Sequence, residues 1–233
     1  MKNICYLFSF LLFFSSQLYS QDLNIEVHYE QGIGKYKEEV FKTPKILEGV
    51  LYVLRANSYS SEFVRDESMS NNIPNENKRY VRGYGAKGTY YRNIKSHKKF
   101  RKTSNRGKDL IITHPLKEFN WEIQKESKFI GKYKCYKAID RNVQRDPRNN
   151  KEFTFITTAW FTLDIPVPFG PKNYDGLPGL ILEVEIFQNY FIASKIIISD
   201  KEIEISEPKS ENVITLEEYV NKSLKILGSK SEN

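Results

Sequence analysis

Histidine, cysteine and methionine are scarce here: three His, two Cys and two Met in 233 residues. His28, His97 and His114 are scattered and show no ligand spacing such as HxxxH, so no metal centre is expected. No G-x-S-x-G elbow, phosphate-binding P-loop or G-x-G-x-x-G between strand and helix is present. Gly83-Tyr84-Gly85-Ala86-Lys87-Gly88 is glycine-rich without that context and reads as a turn. No catalytic set and no cofactor are therefore assigned. Cys5 lies in the N-terminal apolar run, which leaves Cys135 as the one remaining thiol and rules out an internal disulfide. Cys135 alternates with lysines and reads as a buried, inert thiol.

Long apolar runs are also missing after the first twenty residues. Lys2, the apolar stretch 4–16 and the small residue Ser20 form a secretory leader pattern with cleavage before Gln21. That stretch is too short to span a bilayer, which takes roughly 20 residues. The expectation is a cleaved signal peptide over 1–20 and one exported domain over 21–233 without a transmembrane segment, in the periplasm, associated with the outer membrane, or secreted. A 39% hydrophobic, 14% aromatic composition suits a folded domain.

Acid is absent from residues 95–108, which hold seven Lys or Arg. A solvated hairpin explains such a run, and contact with an anionic envelope surface through Lys98, Lys99, Arg101 and Lys102 is the functional alternative. Nucleic acid is not an expected partner, because no binding motif accompanies the charge and the compartment is wrong.

The dominant period is two. Segments 24–31, 48–56, 119–123, 133–140, 152–164, 180–187 and 190–199 read as strands, with short β-prone pieces between glycines over 79–113. Segment 66–77 reads as a solvated loop, 141–151 as an exposed hairpin loop and Gln188-Asn189 as a turn. Thr215-Leu216-Glu217-Glu218 has the form of a capping box and opens a C-terminal helix expected to lie across a sheet face. The predicted fold is mainly β: a single curved antiparallel sheet or half-barrel with a C-terminal helix, similar in outline to periplasmic lipoprotein carriers.

Proline and glycine concentrate in one place. Residues 166–179 contain four Pro and three Gly. Proline fixes φ and a flexible linker would be Gly/Ser-rich, so this loop holds one shape. Leu177-Pro178-Gly179-Leu180 matches a type II turn, which requires φ > 0 at Gly179. The loop reads either as an ordered crossover plugging the sheet, with Phe169 and Leu177 in the core, or as a recognition loop. In the second reading the binding candidates are Trp160, Asp164, Pro166, Gly170, Pro171, Tyr174, Asp175, Gly176, Leu177, Pro178 and Gly179.

The order Ala159-Trp160-Phe161-Thr162, Asp164-Ile165-Pro166, Gly170-Pro171 and Asp175-Gly176-Leu177-Pro178-Gly179-Leu180-Ile181 resembles the GLPGLI family of bacterial envelope proteins. The resemblance begins at Trp121-Glu122-Ile123 and the stretch from Ile130 to Ala138, and ends near Glu185. It implies an envelope location and no assigned activity. The expected function is a non-enzymatic binding protein, for an apolar ligand inside the curved sheet or for a partner protein at the loop. An enzyme using Asp164, Asp175 or Cys135 is the alternative, and a purely scaffolding role is a third.

Overall fold

The computed structural model describes residues 23–33, 45–105, 107–145, 150–187 and 189–229. The expected leader lies outside the described residues, as do positions 146–149 of the expected hairpin loop. Strands β1 (Asn24–Ile33), β2 (Lys45–Ala56), β3 (Ser60–Arg65), β4 (Thr89–Asn93), β5 (Lys98–Asn105) and β6 (Lys108–Thr113) form one meander. A second comprises β7 (Glu122–Ile130), β8 (Tyr133–Arg145), β9 (Glu152–Thr162), β10 (Leu180–Ile186) and β11 (Asn189–Ser199). β11 pairs antiparallel with β1, which joins the meanders into one sheet. The short β12 (Val213–Thr215) adds in parallel to β6. The twelve-strand order is β12-β6-β5-β4-β3-β2-β1-β11-β10-β9-β8-β7. A mainly β, single-sheet fold with a C-terminal helix is thus what the sequence predicts and what forms.

The connection between the meanders forces this sheet to curl. β6 and β7 stand ten strand steps apart, about 48 Å along a flat sheet at ~4.8 Å per step. Only residues 114–121 link them, and so short a chain reaches about 30 Å fully extended. The two ends of the sheet must therefore approach each other around a common interior. Tyr29, Tyr52, Phe63 and Phe191 fill it, with Tyr52 stacked on Phe63 at 5.3 Å and Phe191 edge-on to Phe63 at 6.0 Å. Their polar tips are paired: Tyr29 Oη donates to the Ile181 carbonyl at 2.5 Å and Tyr52 Oη to Gln31 Oε1 at 2.9 Å.

The crossover from β9 to β10 is packed inside this curve. Ile165, Val167, Phe169 and Leu177 are buried while Pro166 and Pro178 face outward. It is tied to its own exit strand, since the Leu180 and Ile181 amides donate to the carbonyls of Ile165 and Phe169, each at 2.9 Å.

Several local expectations change. Residues 66–77 are not a plain loop: a 3₁₀ turn (Glu67–Asn72) leads into α1 (Asn75–Tyr84). Asp66 Oδ1 accepts from the Ser68 amide at 2.9 Å, and only Asn77 and Val81 of α1 are buried. Most of α1 is polar, which is why the stretch reads as a loop. Of the expected Gln188-Asn189 turn, Gln188 lies outside the described residues, Asn189 is already paired to Ile186, and Phe187 takes φ 56°. The capping box of α2 (Leu216–Ser229) does form, with Thr215 N to Glu218 Oε2 at 2.8 Å and Glu218 N to Thr215 Oγ1 at 3.1 Å. This helix stands beside β6 and β12 and sets its Tyr219 ring against the Arg101 guanidinium of β5, leaving Val220 and Leu224 exposed.

Gly179 is the clearest correction. It does not take the positive φ of a type II turn. A Cβ there would lie 1.9 Å from the Thr162 carbonyl oxygen, so glycine is required by close backbone approach. The left-handed residue is Gly176, at φ +89°, with open space where a methyl group would sit. Gly176→Ala is expected to cost about 1–2 kcal/mol by φ strain alone. Gly179→Ala should cost more, about 3 kcal/mol or above, because backbone must move. Denaturant unfolding of the two variants checks the order; equal losses would remove the distinction.

Candidate functional site

Where the curled sheet nearly closes, charged groups from four segments meet. Lys99 sits at the second position of β5 on the face that looks inward, and its side chain is 3% exposed. Its ammonium lies 2.8 Å from Asp175 Oδ1 and 3.0 Å from Glu118 Oε2. Asp175 comes from the crossover and Glu118 from the 114–121 connection, so one lysine joins both to the sheet. Arg92 of β4 adds its Nε at 3.2 Å from Asp175 Oδ2, without hydrogen-bond alignment. His114 Nδ1 lies 3.2 Å from Glu118 Oε2, and Asn173 Nδ2 donates to Glu118 Oε1 at 2.6 Å. Trp121 Nε1 donates to the Asp175 carbonyl at 2.8 Å. Phe119 stacks on Trp121 and packs against Tyr174, capping the cluster with aromatic rings.

The two carboxyls respond in opposite directions. Burial pushes Asp175 above the usual carboxylate range, and the Lys99 and Arg92 charges offset this only in part. Burial acts on Glu118 too, but the His114 hydrogen bond and the Lys99 ammonium outweigh it and hold the group low. Hydrogen bonding accounts for the difference: both Glu118 oxygens have partners, whereas Asp175 Oδ2 has none. Nearby, burial lowers the Lys172 ammonium to about 8, with the Arg101 guanidinium adding to the effect.

The remaining loop candidates do not converge on one exposed surface. Gly170, Pro171, Tyr174, Leu177 and Gly179 are buried, while Asp164, Pro166, Gly176 and Pro178 are exposed. A Cβ on Gly170 would meet Ile181 Cβ at 2.7 Å. Trp160 is half-buried on the opposite sheet face, where the Lys128 ammonium lies 4.4 Å over its ring and pairs with Glu183 at 2.5 Å. Cys135 is fully buried and its thiol is pushed up to about 11 by burial, the reverse of activation. Among the described residues, no hydrogen bond or ion pair joins any two of Asp164, Asp175 and Cys135.

The basic run also divides by strand alternation. Lys99 and Arg101 point inward, with Arg101 Nη1 at 3.5 Å from Tyr90 Oη and its guanidinium over Tyr219. Lys98 pairs with Glu207 at 2.7 Å and Lys102 with Asp109 at 2.8 Å on the other side. As a surface candidate Lys99 is thus corrected: strand period two carries it into the interior. Sequence reasoning missed Arg92, Glu118, His114 and Asn173, because nothing local marks them; Lys99 and Asp175 are 76 residues apart.

Residues 121–183, from the end of the connection through β7, β8, β9 and the crossover, match a family described as "Protein of unknown function (Porph_ging)". The chain is similar to two crystal structures of PNGF-II, in space groups C2 and P21, at 13% and 14% identity with TM-scores of 0.56 and 0.53. Each alignment covers 85% of this chain and 32% of that one, so the chain spans about a third of the length of PNGF-II. At such identity the likeness is one of fold. No curated protein matches the chain.

Removing the Lys99 charge takes an ion-pair partner from buried Asp175 and from half-buried Glu118. Lys99→Met is expected to lose about 3–5 kcal/mol in denaturant unfolding, whereas Lys98→Met, from an exposed pair, should lose under about 1 kcal/mol. Similar losses would mean that the cluster carries no special share. Lys172 gives a pH signature. Its ammonium is lowered from 10.5 to about 8, so the folded chain binds fewer protons between those values and stability rises with pH through that window. The contribution is complete above the unfolded value and lost as pH falls through about 8. Lys172→Met should therefore gain on the unsubstituted protein at neutral pH and lose that gain by about pH 10 in melting curves; a constant offset contradicts this.

Proposed function

We propose that the protein is an exported, non-enzymatic binding protein of the GLPGLI type that holds a partner protein, and that its β8–β9 hairpin is the contact arm. One observation carries this reading. β7 first pairs with β8 at Glu122↔Ile139, and β10 last pairs with β9 at Ile186↔Thr157. Beyond those rows, the pairs from Arg141↔Ile156 to Arg145↔Glu152 have no further strand beside them among the described residues. The overhang is five ladder pairs long, about 17 Å at ~3.4 Å per residue. A two-stranded ribbon is marginal in water, and this one is apolar on both faces. Val143 (61% exposed) and Ile156 (51%) occupy one face. Phe153 (48%) occupies the other, beside Phe155, whose ring packs 5.6 Å from that of Phe187. A protein that encloses both faces would remove this apolar surface from water.

The interior offers little support for an apolar ligand. The space beside the ion cluster is only about 10 Å³. The larger spaces, about 650 Å³ beside Trp121 and Gly176 and about 570 Å³ beside α2, are open grooves with mixed polar and apolar walls. The Trp121 groove, with Leu116 and the Phe119–Trp121 stack in its wall, is the second reading: a contact at the loop itself.

A photo-cross-linking residue placed at 153 in the full chain, expressed in its native host, is expected to capture a discrete envelope protein, and one at 102 is not. Capture from position 116 alone would move the contact to the groove; capture from neither overturns the reading. Native mass spectrometry of the same material should give a bare mass beginning at Gln21. A retained leader would overturn export, and a small-molecule adduct would restore the apolar-ligand reading.

A further inference from the structure

The small cavity between the crossover and strands β4–β6 has an unbalanced charge. Arg92, Lys99 and Lys172 line it together with His114 and a single carboxylate, Asp175. Arg101 and Glu118 act on this space from behind the lining. The total is four cations against two carboxylates, in a region largely closed to solvent, where uncompensated charge is costly. Polar atoms there are also left over: Arg92 Nε and Nη1 and His114 Nε2 are buried without hydrogen-bond partners, and the His114 side chain is only 7% exposed.

We propose that this cavity is a binding site for one monoatomic anion, a halide. Size selects the ligand class: a volume of about 10 Å³ is on the scale of a single water, too small for a tetrahedral oxyanion or a carboxylate. Charge selects it too. A halide accepts from Arg92 Nη1 and offsets the Lys172 ammonium, which no carboxylate in the lining pairs with. Asp175 Oδ2 also borders the cavity without a hydrogen-bond partner. Its charge is held by Lys99 at 2.8 Å and Arg92 at 3.2 Å, so the lining stays net positive. The anion would bind the folded chain only, and its effect would grow with the logarithm of its concentration.

The test uses the full mature chain at about pH 7, melted in sodium chloride, sodium bromide and sodium gluconate at equal ionic strength. Gluconate is too large for the cavity. The midpoint is expected to be several degrees higher in either halide, with the difference lost in Lys172→Met and kept in Lys98→Met. Equal midpoints in the three salts overturn the proposal, as does a halide effect that survives in Lys172→Met. Crystals grown in sodium bromide provide an independent readout that needs no variant. An anomalous peak bounded by Arg92, His114 and Lys172 is expected. A lone water there, with no anomalous signal, overturns the site.

Discussion

A short connection governs this architecture. Residues 114–121 must carry the chain from one end of a twelve-strand sheet almost to the other, and they are too few to do so if the sheet is flat. Curvature follows, and with it an interior wide enough for aromatic side chains from β1, β2, β3 and β11. It also brings β4 and β5 against the crossover that leaves β9. The Lys99–Asp175–Glu118 cluster forms at that closure, with one ion pair to each of the two segments that cross it.

This placement gives the Pro/Gly-rich segment a structural explanation. Alternating prolines hold residues 165–169 extended, so that Ile165, Val167 and Phe169 enter the core from one side. Glycine at 170 and 179 permits contact with Ile181 and with the Thr162 carbonyl, where a side chain would not fit. Gly176 turns the chain so that Asp175 reaches Lys99. A motif of this kind can be specific in sequence because every residue answers to a packing constraint. Its regularity is not by itself a sign of a ligand site.

Surface that packing does not explain lies elsewhere. The overhanging end of β8–β9 has no neighbour strand and no covering element among the described residues, and it exposes apolar side chains to both sides. The family match over residues 121–183 includes this hairpin and the crossover, and the resemblance to PNGF-II extends the fold over most of the chain without bringing an activity with it.

The sequence alone determined the strands whose apolar residues alternate, as in 24–31 and 133–140, because one-sided burial writes a period of two; β8 then runs on through 141–145, which reads as loop. It also determined the α2 cap, since Thr215 and Glu218 bond within one turn. Local rules gave less where the reason was distant. α1 was hidden because most of its residues are polar, with Tyr80 and Val81 its apolar contacts to the core. Gly179 invited a turn explanation, yet its constraint is the carbonyl of a residue in another strand. Lys99 belonged to a run that looked like solvated surface. Its partners, 76 and 19 positions away, became neighbours only when the sheet curled. Tertiary structure decided the ion cluster and the bare hairpin, because both depend on which strands end where, and no local pattern encodes that.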